Sequence, residues 1–542
     1  MSKHFTSILH GLARPEAYPE PPASVEVVET HISAVFLAGE RAYKVKKPVA
    51  LPFLDFSTLT AREHFCHEEV RLNAALAPGV YLGVVPVLRS DGHLVVGHDG
   101  EAADRGELVD WAVSMRRLPS ARMLDALLDR GSIDNDMLRR LAATLARFHA
   151  NAARGDDVVR FGTPAAVQDK VEANFQETDR FVRSRTVHAL SADVHDLVEA
   201  WALHFLREHA ELFAQRARDG HVREGHGDLH AGNICFGTPD EGGLVIYDRI
   251  EFSPAFRCGD VAEDLAFLLM DLDHRGFRGF SDFLAREAMA RTSDHGLLEV
   301  IDFYKCYRAW VRGKVAALRA KQSEGEAREA ARLEALSLFN LGAGYAVPPS
   351  LVILCGLPGT GKTHVASHIA AALDCVSVNS DHVRKGLVGV APSVHRPAAF
   401  GAGLYSQERS AQTYDALLAA AEDGLARGRS VVVDAGFRQR AQRAPFLALA
   451  HARRAPVVVL HLDPPAEVVR SRLQERSARG DSASDADVSI YEACRTTFEP
   501  PVAAEAPRVV HETTLRAPQE TAAEVLACLL RAVESSADPG EA

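Results

Sequence analysis

An eight-residue segment in the second half of the chain has the composition of a phosphate-binding loop. Its residues fit the pattern G-x-x-x-x-G-K-[ST] at every fixed position. Glycines let the backbone wrap a phosphate without a Cβ clash, and successive N–H groups at a helix start bind anions. Lys362 is expected to reach the β- and γ-phosphates of ATP, and the Thr363 hydroxyl to bind Mg²⁺. The predicted loop is Gly356, Leu357, Pro358, Gly359, Thr360, Gly361, Lys362 and Thr363.

Two acidic residues follow strand-like runs beyond this loop. Asp434 ends the apolar run 430–433. It is expected to hold Mg²⁺, directly or through water, because ligands bind at the carboxyl edge of a parallel sheet; the alternative is a strand-end carboxylate that caps a turn. Asp381 and Arg384 follow the run 376–379. They are candidates to face a phosphate acceptor, with Asp381 as base or orienting group, unless Asp381 only caps a helix.

Arginines on a later helix are candidates to bind the transferring phosphate. Arg472 and Arg476 precede the segment 480–482, Gly-Asp-Ser. An arginine-bearing helix and loop of this kind can close over phosphate as a lid. A solvated charged face is the alternative interpretation.

A second set of polar residues lies in the first half of the chain. Residues 226–233 read H-x-D-x-x-x-x-N, and an apolar strand ending in Asp248 follows. Phosphoryl transfer needs one carboxylate at the attacking hydroxyl and oxygen ligands for Mg²⁺. Asp228 fits the first role, whereas Asn233 and Asp248 fit the second. His226 is expected to hold the loop by hydrogen bonds.

A lysine and a glutamate upstream complete this second set. Lys44 and Lys46 lie two residues apart on one strand face, and Lys44 is the preferred ligand of the nucleotide phosphates, with Lys46 in reserve. Glu69 lies on the apolar face of a predicted helix, where an unpaired carboxylate is costly. A lysine partner is therefore expected for Glu69, while Glu68 points elsewhere. Solvated lysines and a surface glutamate are the alternative.

The elements that position these residues divide the chain into two domains. A strand-rich lobe is predicted over about 25–115 and a mostly helical lobe over about 120–345, so the first domain is α+β and bilobal. The prolines at 348 and 349 indicate a linker over 346–350. Five β-branched runs separated by helices then predict a parallel sheet covered on both faces, in a domain over 351–534. Those runs are 351–355, 375–379, 430–434, 456–462 and 507–511, and a loosely held lead-in (1–24) and a flexible tail (535–542) flank the two domains.

Length and composition agree with this organisation. The 542 residues exceed one typical core, and 47% hydrophobic with 25% charged residues excludes global disorder. The formal net charge of −12 argues against nucleic acid as a partner. Apolar runs are only of strand length and no signal peptide is visible, so no membrane segment is expected. Eight scattered cysteines suit reduced thiols in a cytoplasm.

The second half, roughly 350–530, resembles the P-loop NTPase fold of small-molecule and nucleotide kinases, with an adenylate-kinase-like core. The similarity is greatest to zeta-toxin-like and polynucleotide-kinase-like members. The loop at 356–363 carries this resemblance. It implies binding of ATP and Mg²⁺ and leaves the acceptor undefined.

The first half, roughly 25–345, resembles the aminoglycoside phosphotransferase family within the protein-kinase-like fold. The resemblance implies that Asp228 is the catalytic base and that Asn233 and Asp248 bind Mg²⁺. It places Met115 at the hinge that meets adenine. It further implies that the acidic helix over 259–266, with its aspartates at 260 and 264, braces the catalytic loop. No G-x-G-x-x-G precedes the lysine strand, which departs from the protein-kinase pattern.

Three functions are compatible with these residues. The first is a bifunctional phosphotransferase with two ATP–Mg²⁺ sites and small-molecule acceptors that carry an alcohol group. The second is a nucleotide-sensing regulator in which one domain only binds or hydrolyses ATP. The third is a polynucleotide-end kinase activity of the second half, for which arginines at 438, 440 and 443 would offer a basic groove.

Overall fold

The chain forms two compact units, each assembled from separate stretches of sequence. The computed structural model describes residues 3–51, 54–98, 106–182, 184, 187–237, 243–391, 403, 406–479, 486–513 and 515–537. The first unit comprises Met1–Val167, Ala210–Leu272 and Gly279–Ile301. The second comprises Gln168–His209, Asp273–Arg278 and Asp302–Ala542.

Strands and helices alternate in a different pattern in the two halves of the chain. The strands are β1 Val25–Glu29, β2 Ser33–Ala38, β3 Arg41–Lys46, β4 Ala50–Leu51, β5 Leu54–Asp55, β6 Tyr81–Ser90, β7 His93–Val96, β8 Glu107–Arg116, β9 Val222–Glu224, β10 Ile234–Phe236, β11 Leu244–Ile246, β12 Cys258–Asp260, β13 Leu351–Cys355, β14 Cys375–Asn379, β15 Ser430–Asp434, β16 Val457–Leu462 and β17 Val509–Glu512. The helices are α1 Lys3–Leu12, α2 Leu59–Asn73, α3 Leu124–Asp129, α4 Asn135–Asn151, α5 Asp156–Val159, α6 Pro164–Val182, α7 Ala192–Glu208, α8 Ala210–Arg218, α9 Pro254–Arg257, α10 Val261–His274, α11 Arg278–Thr292, α12 Leu297–Gln322, α13 Gly325–Ala346, α14 Lys362–Ala372, α15 Ser380–Gly386, α16 Gln407–Ala426, α17 Arg440–Arg453, α18 Ala466–Arg479, α19 Val488–Arg495 and α20 Pro518–Ala537. None of the helices in the described ranges has the length and apolarity needed to cross a membrane.

A six-stranded antiparallel sheet forms the small lobe of the first unit. Its strand order is β1-β2-β3-β8-β6-β7. The predicted hairpin is β2–β3, and Gly39 supplies the positive φ of 61° that its turn requires. Helix α2 begins where the Thr58 hydroxyl accepts a hydrogen bond from the Ala61 N–H. It packs across β6 and β8, so the predicted helix lies over the face that carries the two lysines.

The N-terminal residues are packed, which differs from the expected loose lead-in. Helix α1 buries Phe5, Ile8 and Leu12 in the core of the small-lobe sheet. These three residues recur at helical spacing and therefore share one face. Because the segment is rich in Pro and Glu, the sequence did not indicate this apolar helix face, which precedes the first strand.

The remainder of the first unit is mainly helical, as expected, with short two-stranded pieces. Strands β10 and β11 form one antiparallel pair, and β9 and β12 form another. The segment 225–233 links β9 to β10, and residues 247–251 follow β11. The predicted loop 226–233 and the segment that contains Asp248 therefore both lie next to these short strand pairs.

The second unit contains the predicted five-stranded parallel sheet. Its strand order is β14-β15-β13-β16-β17, and every pair is parallel. Strands β13, β15 and β16 are fully buried, which explains their continuous Val, Ile and Leu content. The phosphate-loop sequence follows the central strand β13. The predicted fold class, a kinase-like bilobal region followed by a P-loop domain, is confirmed.

The boundaries of the two compact units do not coincide with the linker proposed at 346–350. Helices α7 and α13 precede that segment but belong to the second unit, where α20 packs against both. Helix α13 also approaches the end of α14 closely, because a Cβ on Gly344 would lie 1.9 Å from the Ala372 carbonyl oxygen. The domain limits read from the sequence stay a prediction.

Candidate functional site

Two lysines of β3 and one glutamate of α2 form a buried ionic cluster in the first unit. Lys44 Nζ donates to Glu69 Oε1 at 2.8 Å, and Lys46 Nζ donates to Glu69 Oε2 at 2.7 Å. Lys46 also pairs with Glu251. The Glu69 side chain is 0% exposed, whereas Lys44 and Lys46 are 12% and 1% exposed. Both expected lysines therefore meet the expected glutamate.

The charged side chains of this cluster keep one another ionised. Burial alone would raise the pKa of Glu69, but the adjacent Lys44 and Lys46 ammoniums lower that pKa to about 2. Burial likewise opposes the charge on Lys44, yet Asp248 and Glu69 raise its pKa well above the usual value. Glu69 is thus an anion at neutral pH, and both lysines are cations.

Asp248 lies at the open end of this cluster. Its Oδ1 accepts from Lys44 Nζ at 2.5 Å, and its side chain is 40% exposed. The residue adopts a φ of 64°, a left-handed conformation that Asp tolerates better than most residues. Its backbone N–H donates to the Tyr81 hydroxyl at 3.1 Å. A carboxylate is thereby held beside Lys44 while one side stays open to solvent.

The loop 226–233 brings the other predicted residues together. Asn233 Nδ2 donates to the Asp228 carbonyl oxygen at 3.0 Å and lies 3.4 Å from Asp228 Oδ2. The Tyr247 N–H, next to Asp248, donates to the Asn233 carbonyl oxygen at 3.0 Å. His226 is buried, and its Nε2 is 2.9 Å from the Tyr247 carbonyl oxygen. His226 therefore ties the loop to the segment after β11, as expected.

Asp264 holds the backbone of this loop from helix α10. Its carboxylate accepts the N–H groups of His226 at 2.9 Å and Gly227 at 2.8 Å, and it lies 2.9 Å from His149 Nε2. Despite burial, the His149 hydrogen bond and charge keep the pKa of Asp264 below its usual range. The bracing contact implied for Asp264 is therefore present.

Asp260, the other aspartate implied as a brace, contacts a different part of the unit. Its carboxylate accepts two hydrogen bonds from Arg216 at 2.7 and 2.8 Å, and it caps α10 through the Ala262 N–H. Arg216 also binds Asp294. Asp260 thus fixes the start of α10 through α8 and reaches the loop only indirectly.

Two residues of this site, Glu251 and Asn73, escaped the sequence reasoning. Glu251 is the second carboxylate of Lys46. Asn73 links α2 to the segment after β11, because its Nδ2 donates to the Glu69 carbonyl oxygen and its Oδ1 accepts the Arg249 N–H. Asp271 accepts the Ala231 N–H at 2.9 Å. The available signal was their spacing from known candidates: Asn73 is one helical turn after Glu69, and Glu251 lies three residues after Asp248.

Met115, expected at the adenine hinge, lies inside strand β8. It pairs with Ala42 of β3 and Tyr81 of β6. Its side chain is 8% exposed and packs in a cluster with Ala42, Cys66 and Val113. The contact between Met115 and adenine stays a prediction.

The phosphate loop of the second unit has the backbone that its glycines require. Gly356, Gly359 and Gly361 have φ values of 148°, 82° and 99°. A Cβ on Gly356 would lie 2.6 Å from the Leu462 carbonyl oxygen. Gly361 is the N-cap of α14, so the loop ends at a helix N-terminus. A glycine-rich backbone that ends at a helix N-terminus can bind an anion.

The loop side chains meet the predicted Mg²⁺ partner. Thr363 Oγ1 donates to Asp434 Oδ2 at 2.6 Å, and Asn379 Nδ2 donates to the same oxygen at 2.6 Å. Lys362 Nζ donates to the Leu357 carbonyl oxygen at 2.8 Å. Burial lowers the pKa of Lys362. Asp434 therefore lies at the expected edge of the sheet.

Asp381 and Arg384 line the same cavity as the phosphate loop. Arg384 donates to Asp381 Oδ1 at 2.7 Å. The helix-cap role considered for Asp381 belongs to Asn379, whose Oδ1 accepts the N–H groups of Asp381 and His382. The Asp381 carboxylate is consequently turned to its arginine and the cavity.

The predicted lid arginines also line this cavity, which has a volume of about 430 Å³. Arg472 donates to the Thr360 carbonyl oxygen at 3.4 Å, and Arg476 contacts the Ala486 carbonyl oxygen. The predicted lid segment, 480–482, lies outside the described residues. Arg443 is buried and pairs with Glu505, so it cannot contribute to the basic groove considered for the arginines at 438, 440 and 443.

The donor sets of both sites fit Mg²⁺. This ion prefers hard oxygen ligands and takes one or two carboxylates together with nucleotide phosphates. The first unit offers Asp248 and Asn233, and the second offers Asp434 and Thr363. No soft or nitrogen ligand belongs to either predicted set.

Comparison with known proteins assigns the chain to a family. A family model described as an AAA domain matches residues 351–501. The protein Rv2004c of Mycobacterium tuberculosis (strain ATCC 25618 / H37Rv) is 31% identical over 472 residues, which span 87% of this chain and 90% of the relative. The chain belongs to the family of this mycobacterial protein. In this member of the family a kinase-like region precedes a P-loop domain.

Solved structures align with each half at low similarity. Ethanolamine kinase of Plasmodium vivax covers 58% of this chain and 81% of its own length, with 9% identity and a TM-score of 0.37. Kti12 of Chaetomium thermophilum covers 32% of this chain and 96% of its own, with 20% identity and a TM-score of 0.26.

Proposed function

We propose that this chain is a bifunctional phosphotransferase that transfers the γ-phosphate of ATP to hydroxyl groups of small-molecule acceptors. The observation that carries the proposal is that each unit gathers a lysine and Mg²⁺-type oxygen ligands in one place. In the first unit these are Lys44, Asp228, Asn233 and Asp248; in the second they are Lys362, Thr363 and Asp434.

In the first unit, Asp228 accepts the proton of the attacking hydroxyl, and Lys44 binds the nucleotide phosphates. Lys44 suits this role better than Lys46, because it is the more exposed lysine and lies beside the open Asp248 carboxylate. Lys46 is enclosed by Glu69 and Glu251 and has a structural role. When bound at Asn233 and Asp248, Mg²⁺ neutralises phosphate charge.

In the second unit, the loop backbone and Lys362 bind the β- and γ-phosphates, and Arg472 and Arg476 neutralise charge on the transferring group. Thr363 and Asp434 hold Mg²⁺. Asp381 accepts the proton of the acceptor hydroxyl, and its hydrogen bond from Arg384 orients the carboxylate in the cavity. Glycines at the loop allow this close approach of backbone and phosphate.

Single substitutions in the full chain test the two sites separately. Asp228→Asn is expected to remove the ATP turnover of the first unit, and Lys362→Ala to remove ATP binding at the second. Asp219→Asn and Lys321→Ala are matched controls, since both side chains are exposed and lie outside the sites. ATP consumption is measured across sugars, aminoglycosides, nucleosides and nucleotide sugars. Unchanged turnover and ATP binding in both site variants would contradict the proposal.

The regulatory alternative has a different expected result. A unit that only senses nucleotide would bind ATP in calorimetry and transfer no phosphate to any compound of the panel. Asp228 argues for transfer in the first unit, because binding ATP requires no base at the acceptor side. Salt-dependent binding of single-stranded nucleic acid would instead favour the polynucleotide-end kinase activity.

A further inference from the structure

Each backbone N–H in the segment 247–250 of the first unit donates a hydrogen bond. The Tyr247 N–H donates to the Asn233 carbonyl oxygen at 3.0 Å, and the Ile250 N–H donates to the His226 carbonyl oxygen at 3.1 Å. The loop 226–233 therefore binds the two ends of the segment. The two N–H groups between them are bound by side chains of β6 and α2, which belong to the small lobe.

The two middle residues of this segment are held in different ways. The Arg249 N–H donates to Asn73 Oδ1 at 3.0 Å, and the Arg249 guanidinium donates to three carbonyl oxygens of the same unit. The Asp248 N–H donates to the Tyr81 hydroxyl oxygen at 3.1 Å. A backbone N–H is a single donor, so this hydroxyl is the group that fixes the peptide before Asp248.

The bond to Tyr81 matters because the backbone of Asp248 is strained. Its φ of 64° lies in the left-handed region, and such a conformation persists only where the surrounding structure imposes it. The conformation sets the direction of the side chain, whose Oδ1 accepts from Lys44 Nζ at 2.5 Å. A hydrogen bond that fixes this peptide therefore also fixes the carboxylate.

An irregularity in β6 lies directly beside Tyr81. Tyr81 pairs with Met115 and Gly83 pairs with Ser114, so β6 advances by two residues where β8 advances by one. Gly83 has a φ of 150°, which a residue with a side chain rarely adopts. A bulge of this kind re-aims the neighbouring side chain. The Tyr81 ring packs against two apolar clusters of the first unit, which give its hydroxyl a fixed support.

We infer that Tyr81 is a positioning residue of the first unit, whose hydroxyl fixes the backbone of Asp248 and so orients the Asp248 carboxylate for Mg²⁺. The inference rests on the proposed function, in which Asp248 is a Mg²⁺ ligand. Tyr81 acts through Asp248, and its neutral hydroxyl brings no charge of its own to the site. Removal of a partner that orients a metal ligand typically lowers metal affinity by roughly 10- to 100-fold.

Tyr81→Phe tests the inference because it removes one oxygen atom and keeps the ring. The substitution is made in the full chain together with Lys362→Ala, which is expected to remove ATP binding at the second unit. Binding of a fluorescent, non-hydrolysable ATP analogue is followed while the Mg²⁺ concentration is raised. In Tyr81→Phe the Mg²⁺ concentration for half-maximal binding should rise roughly 10- to 100-fold, and the same maximal binding should be reached at high Mg²⁺.

Hydrogen exchange of the metal-free protein gives a second readout that needs no nucleotide. Peptides spanning 244–250 should exchange one additional amide rapidly in Tyr81→Phe, because the Asp248 N–H loses its acceptor. Tyr43→Phe is the matched control, since it removes the same oxygen from a tyrosine of β3 whose ring packs against Tyr18. Both measurements should keep their wild-type values in Tyr43→Phe.

Asp248→Asn separates the role of Tyr81 from the proposed function. If Asp248→Asn shifts the Mg²⁺ dependence and Tyr81→Phe does not, the inference is overturned and the proposed role of Asp248 stands. A loss of maximal binding in Tyr81→Phe that high Mg²⁺ does not recover, or unchanged exchange over 244–250, also overturns the inference. If Asp248→Asn leaves the Mg²⁺ dependence unchanged, the proposed function of the first unit fails and the inference fails with it.

Discussion

Replacement of Glu69 by Gln removes the anion that holds two lysines together in the first unit. Burial opposes the charge on Glu69, but the adjacent Lys44 and Lys46 ammoniums hold its pKa well below the usual value. Ionisation of this carboxylate therefore stabilises the folded state. Because the carboxylate is buried, Glu69→Gln is expected to cost about 3–5 kcal/mol in the free energy of unfolding at pH 7.

The pH dependence of this stabilisation has a defined sign. A depressed folded-state pKa stabilises the protein above the unfolded pKa, and the gain is lost as pH falls through the folded pKa. The wild-type chain should therefore lose this contribution between about pH 4.5 and about pH 2. The Glu69→Gln variant has no such ionisation, so the difference in stability between the two proteins should shrink over that range.

Urea unfolding followed by hydrogen-exchange mass spectrometry measures the effect where it arises. Peptides from β3 and α2 report on the first unit. Glu68→Gln is the matched control, because Glu68 is a neighbouring glutamate whose partner Arg71 is 58% exposed. Such surface pairs contribute about 0–1 kcal/mol. If the two variants differ by less than about 0.5 kcal/mol, the buried-charge argument is refuted.

Three further substitutions have defined expectations. Lys46→Met should lower the free energy of unfolding in urea by about 3–5 kcal/mol, because the buried carboxylates of Glu69 and Glu251 lose the charge of Lys46. Lys44→Met should chiefly raise the KM for ATP in steady-state kinetics. Equal effects of the two substitutions would contradict the separate roles of the two lysines. Gly356→Ala should abolish ATP binding to the second unit in calorimetry, since φ is 148° and a Cβ would meet a carbonyl oxygen at 2.6 Å; normal binding would show that the loop adapts. Arg443→Met should lower stability by about 3–5 kcal/mol in the same unfolding assay, and adding Glu505→Leu should restore most of it; no recovery would mean that the charge pair is not the cause.

Local sequence patterns predicted the phosphate loop, the strands beside it and the hairpin that carries the lysines. These features depend on adjacent residues: glycines at fixed positions allow one backbone path, and period-two alternation selects strands. The pairing of Glu69 with a lysine followed from a similarly local fact, since a carboxylate on an apolar helix face requires a counter-charge.

The sequence by itself determined which residues could bind phosphate and metal, because loop chemistry and strand ends are encoded within a few neighbouring positions. Only the tertiary structure decided that Glu251 and Asn73 complete the first site, that Asp264 rather than Asp260 holds its loop, and that the Tyr81 hydroxyl holds the backbone of Asp248. Likewise, only the fold grouped α7 and α13 with the parallel sheet. An apolar helix face specifies that it will be buried but not against which partner, and polar contacts between distant residues exist only once packing has brought their backbones together.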